Sequence, residues 1–270
     1  MDLFVVLAYL IAAAAMVGVP LLVGAYMRKK FNLSWAIFAW GMIGFVLVQV
    51  IHYPLVTFTQ APLGSSLTKA LGAAGALVVL SVVLGFLAGA FESVGKYLVM
   101  RWKNKQWRLD VKKVLFFGAG WGAIESVLIG LVLLLQLISY VSLTSLTPEQ
   151  TAQIGGDSEA LNEQIEALKS LTPLDLVPAP VERMAAFTAQ IAFTLLVGLA
   201  ILKGRPILVV AAIAAHTALD AGAVYLSSTM GVWAAEAFIV VFALGSLYYL
   251  RTQWPRDETP AQAPKTKLVV

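Results

Sequence analysis

The residues best able to do chemistry in this 270-residue chain are a few ionisable side chains set inside long apolar stretches. Gly85, Gly89, Glu92 and Lys96 follow one another at steps that keep them on one helix face. Gly118, Gly122 and Glu125 repeat the arrangement, and Ala212, His216 and Asp220 form a third stripe. A charge in hydrocarbon is costly, so such groups face the interior of a bundle or a water-filled cavity. Carboxylates and an imidazole gathered there can move protons or hold a cation. Glycine removes the side chain from a helix contact, so the spacing predicts that the helices carrying Glu92 and Glu125 approach closely and bring the two carboxylates together.

Each group also has a purely structural reading. Glu92 and Lys96, one turn apart, fit a self-neutralised ion pair as well as they fit a catalytic role. Glu125 has no cationic neighbour in its own stretch, so it needs a partner from another helix or a proton, and is the stronger functional candidate. Asp220 one turn from His216 suits a carboxylate that orients a metal-ligating imidazole. It suits a satisfied helix–helix hydrogen bond too, and an isolated pair of this kind favours that reading. His52, beside Tyr53-Pro54, reads as interfacial. Glu182 and Glu236 lie near helix starts, where the dipole suits a carboxylate.

The elements that must position these groups follow from composition. The chain is 60% hydrophobic and 13% charged, with a mean hydropathy of +0.84, whereas soluble domains carry about 25% charged residues. Seven stretches approach the roughly 20 apolar residues that a membrane span needs: Leu3–Met27, Ser34–Phe58, Leu67–Met100, Val114–Leu143, Val181–Leu202, Pro206–Leu226 and Met230–Leu250. Counted from the ends of these spans, Glu92, Glu125, Gln190 and His216/Asp220 fall near one plane. The predicted fold is an all-α polytopic bundle over residues 1–250, followed by a disordered cytoplasmic tail, 251–270.

Basic residues cluster in alternate connections: Arg28–Lys30, Lys96–Lys113, Lys203 with Arg205, and the tail. The positive-inside rule then places the N-terminus outside and the C-terminus in the cytoplasm, as a multi-pass protein of a prokaryotic cytoplasmic (inner) membrane. The acidic segment 144–180 is expected outside the cell. It carries a capping box, Thr147-Pro148-Glu149-Gln150, and a short amphipathic helix marked by Leu161, Ile165 and Leu168. The basic residues flank spans and form no broad face, which argues against nucleic-acid binding. The absence of cysteine excludes disulfides and thiolate metal sites.

Taken in order, four motifs resemble those of the YhfC family of intramembrane metallopeptidases, itself related in site logic to the CAAX prenyl protease-like enzymes. They are Phe91-Glu92-Ser93-Val94-Gly95-Lys96-Tyr97, Gly120-Trp121-Gly122-Ala123-Ile124-Glu125, Glu182-Arg183 leading to Gln190-Ile191, and His216-Thr217-Ala218-Leu219-Asp220. The resemblance implies a divalent metal, zinc first, with Glu125 and His216 as ligands. It implies Glu92 as the base that activates water against a peptide bond, and Asp220, Lys96 and Gln190 as supporting residues. The chain departs from the family pattern where Ser93 replaces a second glutamate, Lys96 an arginine, and Trp121 and Gln190 two histidines. A catalytic zinc usually takes three protein ligands plus water.

Three readings follow. One is an intramembrane metallopeptidase acting on a membrane protein or peptide. Another is a catalytically inactive relative that binds such a partner within the lipid bilayer, favoured by Trp121 and Gln190. The third is a transporter or accessory subunit, which the lack of paired broken helices and inverted repeats disfavours.

Overall fold

The computed structural model describes residues 2–155 and 159–255, and these are helical with short connections and no strands. The helices are α1 (Leu3–Phe31), α2 (Trp35–Trp107), α3 (Val111–Thr144), α4 (Pro148–Gly155), α5 (Glu159–Lys169), α6 (Pro178–Lys203), α7 (Ile207–Met230) and α8 (Val232–Gln253), with a 3-10 turn at Pro173–Leu176 before α6. Among the described residues six helices are long and apolar enough to cross a membrane: α1, α2, α3, α6, α7 and α8. Much of their outer surface is bare hydrocarbon, including Leu22, Phe58 and Tyr248, each at least 70% exposed. Lipid has to cover such a surface.

The seven expected stretches map onto six helices because two of them share α2. A straight helix of its 73 residues would run about 110 Å, several times the ~30 Å hydrocarbon core. Instead α2 reverses at Gly72, whose φ of 74° and ψ of 172° lie in a region essentially reserved for glycine. The arms run back along each other. Trp40 meets Trp102 with ring centroids 5.2 Å apart, and His52 meets Phe91 at 5.4 Å. The connection expected between Phe58 and Leu67 is helical, because Pro54 and Pro62 are both accommodated inside α2.

Short caps end the elements. Asp110 accepts the Lys113 backbone N–H at 2.9 Å at the start of α3, and Gly204 takes a left-handed conformation after α6. α6 is the central helix. In its most apolar window 72% of residues are buried, against at most 33% in any other span. It packs on α3, α8, α7, α1 and α2.

The two ends of the bundle differ in charge. At one end Arg28 lies over Trp35, Lys103 over Trp40 and Trp102, and Lys30 over Trp254. At the other, the Asp2 backbone N–H donates to the Tyr140 hydroxyl at 3.0 Å, beside a cluster of Val5, Tyr9, Leu133, Tyr140 and Leu176. Asp2 and Trp254 therefore stand at opposite ends of α1. In the acidic segment, Thr147 and Gln150 exchange side-chain and backbone hydrogen bonds of 2.9 and 3.3 Å, and α5 buries Ile165. Asp157 and the tail beyond Pro255 lie outside the described residues.

Candidate functional site

Close helix contacts build the site, with pairings that differ from the expected one. A Cβ placed on Gly89 would lie 2.9 Å from the Ile213 carbonyl oxygen and 3.2 Å from the His216 Cβ, and one on Gly85 would lie 3.0 Å from the Thr217 carbonyl oxygen. The first stripe thus presses α2 onto α7. A Cβ on Gly118 would lie 2.8 Å from the Thr194 Cβ, and one on Gly122 would lie 3.1 Å from the Gln190 Cβ. The second stripe presses α3 onto α6. The two glycine stripes do not meet each other. They seat Glu92 and Glu125 against the helices that carry His216 and Gln190, and the carboxylates are joined through Gln190.

Glu92 is buried and its Oε2 accepts three hydrogen bonds, from Lys96 Nζ at 3.1 Å, Trp121 Nε1 at 2.9 Å and Gln190 Nε2 at 2.8 Å. Lys96 is wholly buried, donates also to Gln190 Oε1 at 2.5 Å, and sits 4.9 Å from the centre of the Trp121 ring. Gln190 Nε2 reaches Glu125 Oε2 at 2.9 Å as well. The cation that Glu125 lacks on its own helix comes from α6: Arg183 Nη1 stands 2.9 Å from Glu125 Oε1 and the same guanidinium pairs with Glu182. Arg183 was legible only as part of a motif. Its position two turns before Gln190 puts both on one face of α6.

His216 completes the group from α7. Its Nε2 is 3.3 Å from Asp220 Oδ2, its ring stacks on Phe193 with centroids 5.0 Å apart, and its buried Nδ1 has no hydrogen-bond partner. Glu125, Arg183, Gln190, Phe193, His216 and Asp220 line a cavity of about 60 Å³, room for a few waters at about 10–15 Å³ each. The cavity opens toward Asp220 and Glu182, whose side chains are 35% and 40% exposed.

His52 lies deeper than the sequence suggested. It is mid-arm in α2 because the helix runs on through Pro54, so the ring is half-buried against Phe91 and within electrostatic reach of Glu92, His216 and Asp220. Glu236 lies near the start of α8 as expected, and it is buried with its Oε2 unpaired. It lies more than a turn inside α8, on the face of Ile239 and Ala243 that packs among α6 residues.

A divalent metal fits this donor set poorly. Coordination needs free lone pairs from about three ligands converging on one point. Here Glu92 Oε2 and both Glu125 oxygens accept N–H donors. The Trp121 indole offers no lone pair, and the Lys96 ammonium occupies the space between Glu92 and Gln190. Among the described residues no group of three or more His, Asp or Glu is placed to hold a metal ion. The expected ligands Glu125 and His216 share a cavity but do not form such a group.

Fold and site together define a polytopic α-helical membrane protein with an ionic network at its core. The chain belongs to the YhfC intramembrane metalloprotease family, whose sequence profile matches residues 15–242. It is 32% identical over 162 residues to the uncharacterized membrane protein YhfC of Bacillus subtilis (strain 168), a match covering 60% of this chain and 62% of that protein. The match therefore spans less than two thirds of the relative's length. No solved structure matches the chain.

Proposed function

We propose that this chain is a YhfC-family membrane protein that uses its bundle as a scaffold to bind a membrane partner or peptide, docked at the mouth of the ionic cavity and not inside it, without hydrolysing it through a metal. One observation carries the reading: Trp121 and Gln190, which stand where the family resemblance implies two histidines, donate N–H groups to Glu92 Oε2 and offer no imidazole nitrogen to a metal. Together with Lys96 these donors occupy the Glu92 oxygen that would face a metal.

The partner reaches the site from the side where Glu182 and Asp220 emerge. Under the positive-inside rule this is the extracytoplasmic half of a bacterial inner membrane. The competing reading is a working metallopeptidase, favoured by the family match itself, with Glu92 as base and Glu125 and His216 as ligands of zinc.

Metal analysis of full-length protein purified without chelator, at neutral pH, separates the two. The binding reading expects less than about 0.1 zinc per chain and no cleavage of membrane peptides. Close to one zinc per chain, with cleavage that is lost in a Glu92→Gln variant that stays folded and keeps its zinc, would establish the peptidase.

A further inference from the structure

Helices α1 and α8 both pack on α6, yet they make no comparable packing with each other along their lengths. Among the described residues they come together at the cationic end, where Phe31 meets Trp254, just past α8, with ring centroids 5.4 Å apart. The gap above is a cavity of about 680 Å³, within the ~300–1,000 Å³ of sites that enclose a small molecule. Its wall is hydrocarbon almost throughout: Val19, Val23 and Met27 from α1, Phe187 and Ile191 from α6, Leu250 from α8. From Val19 to Met27 the wall rises about 12 Å along α1.

Apart from Thr188, whose hydroxyl donates to the Met184 carbonyl at 2.9 Å, polarity is gathered at one end. There the cavity is bounded by Arg251, Trp254 and the Tyr26 hydroxyl. Lys30 Nζ stands 3.4 Å from that hydroxyl and 5.7 Å from the centre of the Trp254 ring. Among the described residues neither Arg251 nor Lys30 has a carboxylate partner. Two cations without a carboxylate partner among the described residues, a phenol and an indole at the mouth of an apolar trough match a molecule with an anionic head and long hydrocarbon tails. Tryptophan and tyrosine also mark the level of the lipid headgroups, and basic residues there attract anionic lipid.

We infer that the α1–α6–α8 cleft is a binding site for one anionic glycerophospholipid, its acyl chains against Val23, Met27 and Ile191 and its phosphate between Arg251 and Lys30. The site lies across α6 from the ionic cluster and is independent of whether that cluster binds metal. A bound lipid would fill the gap that α1 and α8 leave and hold both to α6.

Native mass spectrometry of the full-length protein, delipidated in mild detergent and titrated with phosphatidylglycerol or phosphatidylcholine, tests this. One phosphatidylglycerol is expected to remain bound at activation energies that strip phosphatidylcholine, with an apparent affinity about tenfold higher or more. The double variant Lys30→Gln/Arg251→Gln should bring the two lipids level. Val23→Trp, which fills the trough, should remove retention of both. A phosphatidylglycerol with a photoreactive acyl chain should label α1 and α6 peptides containing Met27 and Ile191. Equal retention of both lipids by the unmodified protein would overturn the inference, as would labelling spread evenly over outward residues such as Leu22, Phe58 and Tyr248. Absence of label from the cleft, with a peptide or a terminal segment cross-linked there instead, would overturn it too.

Discussion

Trp121 Nε1 lies 2.9 Å from Glu92 Oε2, so an indole on α3 donates to a buried carboxylate on α2. The ring is itself wholly buried, packed edge-on against Phe45 with centroids 5.9 Å apart. Replacing Trp121 by Phe removes the donor, keeps an aromatic, and leaves a small cavity where the second ring packed. Trp121→Phe should cost about 1.5–3 kcal/mol, the usual worth of a hydrogen bond to a charged group, or more. Denaturation of the purified protein in detergent measures it. No loss would show that Lys96 and Gln190 satisfy Glu92 without the indole.

Lys96 and Glu92 should be strongly coupled. Either single change, Lys96→Met or Glu92→Gln, leaves a buried group without its counter-charge and should destabilise by about 3–5 kcal/mol. The double variant leaves no charge uncompensated between them, so it should lose less than the sum of the singles by about 2 kcal/mol or more. Thermal unfolding of the four proteins completes the cycle. Additive losses would mean that the two side chains titrate and pack independently.

The glycine contacts predict opposite outcomes for the same substitution. On Gly89, Gly→Ala would push a methyl to 2.9 Å from the Ile213 carbonyl oxygen, a backbone atom that cannot step aside. The expected loss is about 1–3 kcal/mol, with α7 and His216 displaced. At Gly245 nothing lies within 4 Å, so alanine should be neutral or stabilise by up to about 1 kcal/mol through helix propensity. Parallel unfolding curves of G89A and G245A check both signs.

The orientation proposed from charge is open to a direct measurement because the chain has no cysteine. Lys105 is exposed near the cationic end, and Glu166 on α5 is 72% exposed at the acidic end. In intact spheroplasts, Glu166→Cys should react with an impermeant maleimide, whereas Lys105→Cys should react only after lysis. The reverse pattern would place the N-terminus in the cytoplasm and invert the side from which the cavity opens.

The stripes and the depths of the polar groups were legible because helical spacing and rise are local properties. Glu92, Glu125, Gln190 and His216 do come to neighbouring positions in one bundle. Which helix each stripe touches was not legible. Gly85 and Gly89 pack on α7, and Gly118 and Gly122 on α6; the sequence marks a glycine face without naming its partner. The hairpin in α2 was hidden for a related reason. Pro54 and the polar run from Thr57 to Lys69 look like a span's end, yet the helix continues and turns back only at Gly72. His52 was misplaced as a consequence. Arg183 illustrates a third limit: its charge suggests an interface, and only the fold reveals that it reaches Glu125.

If lost lone pairs are what separates this site from a metal centre, restoring them should restore metal. Trp121 and Gln190 both reach Glu92 Oε2, and both stand where the family resemblance implies histidine. The double variant Trp121→His/Gln190→His replaces an indole and an amide by two imidazoles beside Glu92. It also removes the Gln190 oxygen that helps to hold Lys96. With His216, whose buried Nδ1 is unpaired, the site would offer three nitrogen ligands and a carboxylate, a set that suits zinc. Zinc per chain should rise from under about 0.1 to near one, and binding should weaken as pH falls and the imidazoles take protons. Lys96 is the remaining obstacle, so adding Lys96→Met should tighten binding further. Failure of the triple variant to bind zinc would show that the positions of α3, α6 and α7, and not the identities of two side chains, keep the metal out.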